Sequence, residues 1–188
     1  MGWFRRSQRL TTVSVRKRNL WTVCPFCKAH IYTQEWEENL RICPKCSFHD
    51  KVTFAERLEL LIDEDTFEEL NPEITPSDPL GFADAKGTYA DKIEATRAKT
   101  DMNESVITGC GELHGIPVVI AIMDFRFLGG SLGGSTGEKI FLASNHALEK
   151  RLPYIIVSAS GGARMHEGVV SLMQMAKTCA GIARLHQA

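Results

Sequence analysis

The sequence lacks any apolar run long enough to cross a membrane. Its longest uninterrupted apolar run is Ile116–Met123, whereas a membrane-spanning helix needs about 18 such residues. The N-terminal region is basic and has no acidic residue before Glu35, but it also lacks the apolar core of a secretory signal. We therefore expect a cytoplasmic protein without membrane contact. In a reducing compartment its six cysteines would remain thiols that are free to bind a metal.

Excess charge of one sign is also lacking, since the net charge is -1, so no polyanionic partner is implied for the chain as a whole. Positive charge is concentrated in a basic arm at 1–20. This arm is either a mobile terminus without a specific partner or a weak contact for nucleic acid. Composition divides the rest into a cysteine module at 21–50, an acidic and partly helical connector at 51–100, and an apolar α/β region at 101–188.

The connector contains one clear helix signal. Thr53 followed by Glu56 has the spacing of a capping box, and apolar residues then recur at helical spacing. A short amphipathic helix is predicted to begin there. Proline, glycine and asparagine punctuate 71–81 and predict an extended linker that packs on something else.

The apolar region is predicted to alternate strands and helices. β-branched residues are dense at 106–108 and 116–122, with a turn signal at His114–Gly115, which indicates a hairpin. Ser135 and Glu138 have the spacing of a second capping box, and a further buried strand is expected at 154–157. Strand, helix and strand with short joins predict a parallel pair with a right-handed crossover. The last helix is expected over about 169–186.

Four cysteines have the spacing of a zinc ribbon. They form two C-x2-C pairs with fifteen residues between them, at Cys24, Cys27, Cys43 and Cys46. Each pair can direct two sulfurs at one ion from a tight turn, and a hairpin would bring the pairs together. Four thiolates leave no open coordination position, so the predicted Zn²⁺ is structural. Chance pairing or disulfides are the alternative. The residues expected in the strands of the hairpin are Tyr32, Thr33, Trp36 and Ile42.

A glycine-rich loop covers 128–139 and is not a phosphate-binding P-loop. Such a loop needs lysine directly after its last glycine, and Glu138 separates Gly137 from Lys139. The pattern still predicts close approach of the backbone to a ligand or another chain, at a helix N-terminus that favours negative charge. A flexible turn is the alternative.

A second glycine-containing segment, Ser158–Met165, joins a predicted buried strand to a helix. The N–H groups of Gly161 and Gly162 could point at one oxygen, with the helix dipole behind them, which would make an oxyanion hole. A purely structural turn is the alternative. A hydrolase with Ser160 as nucleophile is disfavoured, because the nucleophile elbow needs glycine where Ser158 stands.

Four segments together resemble one enzyme family from about residue 20 onward. They are Phe127–Ser131, Ser158–Met165, Ser171–Thr178 and the cysteine ribbon Trp21–Cys46. Their sequences and order are similar to the beta subunit of the acetyl-CoA carboxylase carboxyltransferase. The resemblance implies an α/β, crotonase-like fold of ββα repeats, incomplete in this chain, preceded by the small four-cysteine zinc ribbon.

The resemblance also implies a reaction and a site. Biotin on a separate carrier protein would deliver a carboxyl group to the substrate acetyl-CoA, giving malonyl-CoA for fatty acid synthesis, and released biotin would remove the methyl proton. Gly161 and Gly162 match the hole for the thioester enolate. Gly129, Gly130 and Arg164 match positions near the CoA groove. The implied partners are an alpha subunit in an alpha2beta2 assembly, the biotin carboxyl carrier protein and biotin carboxylase.

One departure from the family bears on activity. The sequence stops at Ala188, whereas the family's subunit continues, so we expect a fragment or a truncated product. The family also builds its active site between beta and alpha subunits, so the isolated chain is expected to be inactive. A zinc-ribbon module that binds nucleic acid through the basic arm remains the alternative function.

Overall fold

The structure, a computed structural model, describes residues 19–188. The basic arm expected at 1–20 lies almost entirely outside the described residues, and its possible contact with nucleic acid stays a prediction. The chain separates into two compact units, one ending at Val52 and the other comprising Thr53–Ala188.

The first unit is built around a short hairpin. Strands β1 (Trp21–Val23) and β2 (His30–Tyr32) pair antiparallel and are followed by helix α1 (Thr33–Glu38). The strand prediction for Thr33 and Trp36 is therefore wrong. Trp36 is 4% exposed and packs with the cysteines and Ile31, and this burial of a large aromatic side chain fixes the helix on the small core.

The second unit contains a four-stranded sheet in the order β3-β6-β7-β8. The predicted hairpin is confirmed as β6 (Val106–Leu113) and β7 (Ile116–Met123), and the predicted parallel pair as β7 with β8 (Tyr154–Val157). Helix α4 (Gly134–Lys150) is the crossover between β7 and β8. β6, β7 and α4 thus form one complete ββα unit.

Strand β7 is buried on both faces because helices cover the sheet on either side. Val118, Ile120 and Ile122 pack in a cluster with Ile62, just beyond α2 (Phe54–Leu61), whereas Val119 packs against α4. The continuous apolar sequence of this strand follows from that double burial. The C-terminal helix α5 (Val169–His186), confirmed at the predicted bounds, lies against α4.

Of the segment 51–100, predicted as a connector, all residues from Thr53 onward lie in the second unit. It supplies α2, the edge strand β3 (Glu68–Leu70), the small hairpin of β4 (Ala83–Asp84) and β5 (Gly87–Thr88), and helix α3 (Tyr89–Thr100). Edge strand β3 pairs antiparallel with β6. In residues 19–188 no helix is long and apolar enough to cross a membrane.

One of the two predicted capping boxes is present. Thr53 Oγ1 accepts from the N–H of Glu56, and the Glu56 carboxylate accepts from the N–H of Thr53. The second prediction is wrong, because α4 begins at Gly134 with Gly133 as N-cap. Ser135 instead donates its hydroxyl to the carboxylate of Glu104.

Candidate functional site

The four cysteines lie close enough to share one metal ion. Their sulfur atoms are all within 4.8 Å of one another. The distance is 3.8 Å between Cys24 Sγ and Cys46 Sγ, and 3.7 Å between Cys27 Sγ and Cys43 Sγ. Sulfurs about 2.3 Å from a tetrahedral zinc ion would be about 3.8 Å apart. The side chains therefore fit the geometry of a zinc site.

Both cysteine pairs are held by the same backbone turn. The N–H of Lys28 donates to the carbonyl of Cys24 over 3.0 Å, and the N–H of Ser47 donates to the carbonyl of Cys43 over 2.8 Å. Lys28 and Ser47 both have left-handed backbone, with φ of 59° and 58°. Equivalent turns aim the two pairs at one point. The spacing of the cysteines alone predicted this cluster correctly, because each C-x2-C turn is formed by residues that are close together in the sequence.

The two glycine-rich segments lie side by side. We refer to 128–137 as the first glycine loop and to 158–168 as the second glycine loop. The N–H of Leu132 donates to the carbonyl of Gly162 over 2.8 Å, and the N–H of Arg164 donates to the carbonyl of Leu132 over 3.0 Å. The first loop follows β7 and the second follows β8, so the parallel strands bring them to the same edge of the sheet.

The two predicted oxyanion donors differ in this arrangement. The N–H of Gly161 already donates to the carbonyl of Gly129 over 2.9 Å, so this donor is engaged inside the protein. Within residues 19–188, the one hydrogen bond donated by the N–H of Gly162 goes to the hydroxyl of the exposed Ser160, at 3.1 Å. Gly162 has a φ of 123°, and no atom lies within 4 Å of the position a β-carbon would take. Its N–H is thus the one that a ligand oxygen can reach by displacing a serine hydroxyl.

The expected helix dipole does not lie directly behind these glycines. A 3-10 turn at Met165–Glu167 follows the second glycine pair, and α5 begins only at Val169. The expectation that a helix N-terminus supports this segment is therefore wrong.

Gly130 is glycine for a reason other than the one predicted. It is buried, and a β-carbon there would stand 2.0 Å from the carbonyl oxygen of Ala159. The close approach is to the second glycine loop and not to a ligand. Gly129 is partly exposed, and a β-carbon there would contact the ring of Phe125 at 3.9 Å. Phe125 is 42% exposed and was missed in the sequence, where nothing marked it as part of the loop surface.

Arg164, predicted to lie near the CoA groove, is buried. The residue is 1% exposed, and its guanidinium donates to Glu104, Ser105 and Ser131 inside the protein. Burial opposes ionisation of Glu104, but hydrogen bonds from Arg164 outweigh this effect and hold the pKa of the carboxyl below its usual range. Both groups are charged, and neither faces solvent.

At the N-terminus of α4, one N–H group is already bound by a carboxylate of the chain. The N–H of Gly134 donates over 2.6 Å to the carboxylate of Glu167, which is 2% exposed. The prediction that this helix N-terminus favours negative charge is confirmed, because a carboxylate lies there, as the helix dipole favours. The anion belongs to the chain itself.

Comparison with known proteins identifies the family of this chain. Residues 49–188 match the model of the carboxyl transferase domain. This chain is a member of the carboxyl transferase family.

Curated members of the family cover nearly the whole chain. It is 45% identical over 169 residues to the acetyl-coenzyme A carboxylase carboxyl transferase subunit beta of Synechococcus sp. (strain JA-3-3Ab), which covers 90% of this chain and 54% of the relative. Identity is also 45% to the subunit of the same name from Citrifermentans bemidjiense, over 100% of this chain and 68% of the relative. The chain thus spans about half to two thirds of such relatives.

Two solved enzyme structures share the fold. Transcarboxylase 12S with methylmalonyl-coenzyme A and methylmalonic acid bound has a TM-score of 0.58 and 31% identity, covering 72% of this chain and 24% of that one. A Pseudomonas malonate decarboxylase heterodimer has a TM-score of 0.51 and 25% identity, covering 72% and 48%. The expected α/β, crotonase-like fold with a four-cysteine module is confirmed.

Proposed function

We propose that this chain is part of the beta subunit of an acetyl-CoA carboxylase carboxyltransferase. The observation that carries the proposal is 45% identity, across 90% to 100% of the chain, to curated subunits of that name. In this reaction a carboxyl group moves from carboxybiotin on a carrier protein to acetyl-CoA, and malonyl-CoA for fatty acid synthesis is formed.

The proposed contribution of this chain is electrostatic. The N–H of Gly162, an exposed residue, would exchange its contact with the Ser160 hydroxyl for the thioester oxygen of acetyl-CoA, on which negative charge develops during loss of the methyl proton. Carboxybiotin, when bound, would supply the carboxyl group and a nitrogen that could accept the methyl proton. Loss of one donor of this kind costs roughly 2.7–4 kcal/mol of transition-state stabilisation in other enzymes. Gly161 would serve by holding the loop through Gly129, because its own N–H is engaged.

The CoA groove is proposed to run over the exposed surface of the two glycine loops. Gly129 and Phe125 lie beside Gly161 on this surface. An exposed aromatic ring beside the two glycine loops suits a thioester with an apolar arm. Gly130 and Arg164 would support the groove from below, since both are buried.

The metal is proposed to be one structural Zn²⁺ per chain. Cys24, Cys27, Cys43 and Cys46 would all bind it as thiolates, and these four ligands complete a tetrahedral shell. The first unit has a core of only a few buried side chains. A unit of this size depends on metal binding for its fold.

The proposed assembly follows from the relatives' designation as a beta subunit. An alpha subunit, in an alpha2beta2 arrangement, would complete the active site, and the biotin carboxyl carrier protein and biotin carboxylase would supply carboxybiotin. The proposed location is the cytoplasm. The proposed divisions of the chain are the arm at 1–20, the ribbon at 21–50, the connector at 51–100 and the transferase region at 101–188.

Reconstitution tests the function. The full-length subunit that contains this sequence would be combined with its alpha subunit, carboxylated carrier protein and acetyl-CoA, and malonyl-CoA would be measured. We expect turnover from the complex and none when the alpha subunit is omitted. A complex that assembles but forms no malonyl-CoA would refute the proposal, and turnover by this chain alone would refute its dependence on the alpha subunit.

A further inference from the structure

A buried ion pair lies beneath the two glycine loops. Arg164 and Glu104 are each 1% exposed, and Arg164 Nη2 donates to Glu104 Oε1 over 2.5 Å. The proposed reaction uses neither group directly. Removing two charges from water is unfavourable, and only close geometry with further hydrogen bonds offsets it. The further hydrogen bonds of Arg164 and Glu104 therefore indicate the structural role of the pair.

Arg164 connects the second glycine loop to the first. Its Nε donates to Ser131 Oγ over 3.0 Å, and its Nη2 donates to the carbonyl oxygen of Ser131 over 2.8 Å. Ser131 lies next to Leu132, whose backbone pairs with the second loop on both sides of Ala163. The guanidinium thus fixes the first loop at the point where the two loops meet.

Glu104 anchors this arginine to the sheet. Its Oε1 accepts from the N–H of Ser105 over 2.6 Å, immediately before β6 begins. Its other carboxylate oxygen accepts from the hydroxyl of Ser135 in the first turn of α4. One carboxylate therefore joins the start of β6, the first turn of α4 and the arginine of the second loop.

Glu167 makes a parallel connection from the second loop. Its Oε2 accepts from the N–H of Gly134 over 2.6 Å, and its Oε1 accepts from the hydroxyl of Tyr89 over 2.7 Å. Arg164 Nη1 lies 3.5 Å from the same Oε1. The arginine is consequently shared between two buried carboxylates, one on each side of the loop junction.

The first loop has glycine where these charges need space. A β-carbon at Gly133 would stand 2.7 Å from Arg164 Nη1 and 2.8 Å from Glu167 Oε1. Contacts under 3.0 Å force a group to move, and here the nearest groups are the ion pairs themselves. Gly133 therefore belongs to the charged cluster and not to a ligand surface.

We propose that the charged cluster of Glu104, Arg164 and Glu167 sets the register of the two glycine loops, and that Glu104 is a positioning residue for the N–H of Gly162. This inference rests on the proposed function, since it assigns that N–H a place in the reaction. The donor lies on the exposed side of the loop junction and the cluster on its buried side. A small shift in register would move the donor relative to the thioester oxygen.

Glu104→Gln in the reconstituted full-length complex tests the proposal, because it keeps the shape of the side chain and removes its charge. We expect kcat for malonyl-CoA formation to fall at least about tenfold, with the KM for acetyl-CoA changed less than about threefold, since a misplaced donor weakens only the transition state. The matched control is Glu138→Gln, which removes a partly exposed carboxylate that pairs with Lys177 on α5 and should leave kcat unchanged.

A milder variant covers the case in which Glu104→Gln fails to fold. Ser131→Ala removes only the hydroxyl that accepts from Arg164 Nε, and a smaller fall in kcat, about threefold, is expected. Arg164→Gln combined with Glu104→Gln should cost no more than the worse single change, because the residues act as one unit. Full additivity of the two losses would overturn the proposal.

Amide hydrogen exchange gives a readout that does not depend on turnover. In Glu104→Gln, amides of 129–134 and 160–164 should exchange at least about tenfold faster, while β6 and β7 keep their protection. If the wild-type complex forms no malonyl-CoA, the proposed function fails, and exchange still decides the positioning role. Unchanged loop exchange, uniform loss of protection across the sheet, or a raised KM with normal kcat would each overturn the inference.

Discussion

The N–H of Gly161 donates to the carbonyl oxygen of Gly129 over 2.9 Å and joins the two glycine loops. Because of this contact, the adjacent residues Gly161 and Gly162 have different roles. Gly161 holds the loops together, whereas the N–H of the exposed Gly162 donates to the side-chain hydroxyl of Ser160, which is itself exposed. A pair that looks equivalent in the sequence therefore has one structural member and one member that can meet a ligand.

Gly162→Val is expected to abolish carboxyl transfer in the reconstituted full-length complex while leaving assembly intact. The position has a φ of 123°, which valine adopts only with strain, so the N–H would turn away from its present direction. Malonyl-CoA formation and gel filtration measure the two properties. Gly115→Val is the matched control, because Gly115 also has positive φ and open space but lies in the β6–β7 turn. Full activity of Gly162→Val would refute the oxyanion role.

Structural features that depend on residues close together in the chain could be predicted from the sequence. The cysteine cluster, the Thr53 capping box and the β6–β7 hairpin each depend on a short stretch of chain with a distinctive residue pattern. The crotonase-like fold was reached through resemblance of longer segments. In both cases the deciding information lies in residues close together along the chain.

Features set by distant partners could not be predicted. Ser135 has the spacing of a helix cap, but its hydroxyl goes to Glu104, 31 residues earlier. Arg164 follows an exposed glycine pair, yet it is buried because Glu104, 60 residues away, neutralises it. Without the sheet, nothing in the sequence shows that these segments meet.

Removal of zinc should unfold residues 24–46 first. With excess chelator, we expect loss of one equivalent of zinc and faster proteolysis within this segment, while the second unit keeps its thermal transition, since that unit has its own core. Cys46→Ser should reproduce the effect. Cys179→Ser changes an exposed cysteine outside the cluster and should retain zinc. Full metal content in Cys46→Ser, measured by atomic emission, would contradict the four-cysteine site.

Gly130→Ala should destabilise the second unit more than Gly81→Ala does. Both glycines have φ near 60°, at 64° and 59°, so alanine is strained to a similar extent at each. Only at Gly130 would the added carbon also collide with the carbonyl of Ala159, and overpacking of this kind costs about 1–3 kcal/mol. Urea unfolding of the two variants measures the difference. If both variants lose the same free energy of unfolding, the two glycine loops can move apart at Gly130 without destabilising the second unit.

Acid should destabilise the second unit partly through Glu104. Its pKa is depressed in the folded state, since hydrogen bonds from Arg164 outweigh the opposing effect of burial. Below the ordinary value of 4.5 the unfolded chain takes up a proton that the folded chain resists. The stabilising contribution is therefore complete above that pH and is lost as pH falls through the folded pKa.

Glu104→Gln should remove this part of the acid sensitivity. Thermal unfolding of both proteins between about pH 2 and 7, a range that includes the usual glutamate pKa of about 4.3 and values below it, gives the comparison. The wild-type curve should fall more steeply below about pH 4.5, so that the two melting temperatures converge at low pH, because a protonated Glu104 no longer pairs with Arg164 as a charge. Parallel curves would mean that Glu104 is not ionised in the folded protein, and the charged cluster could not then be an ion pair.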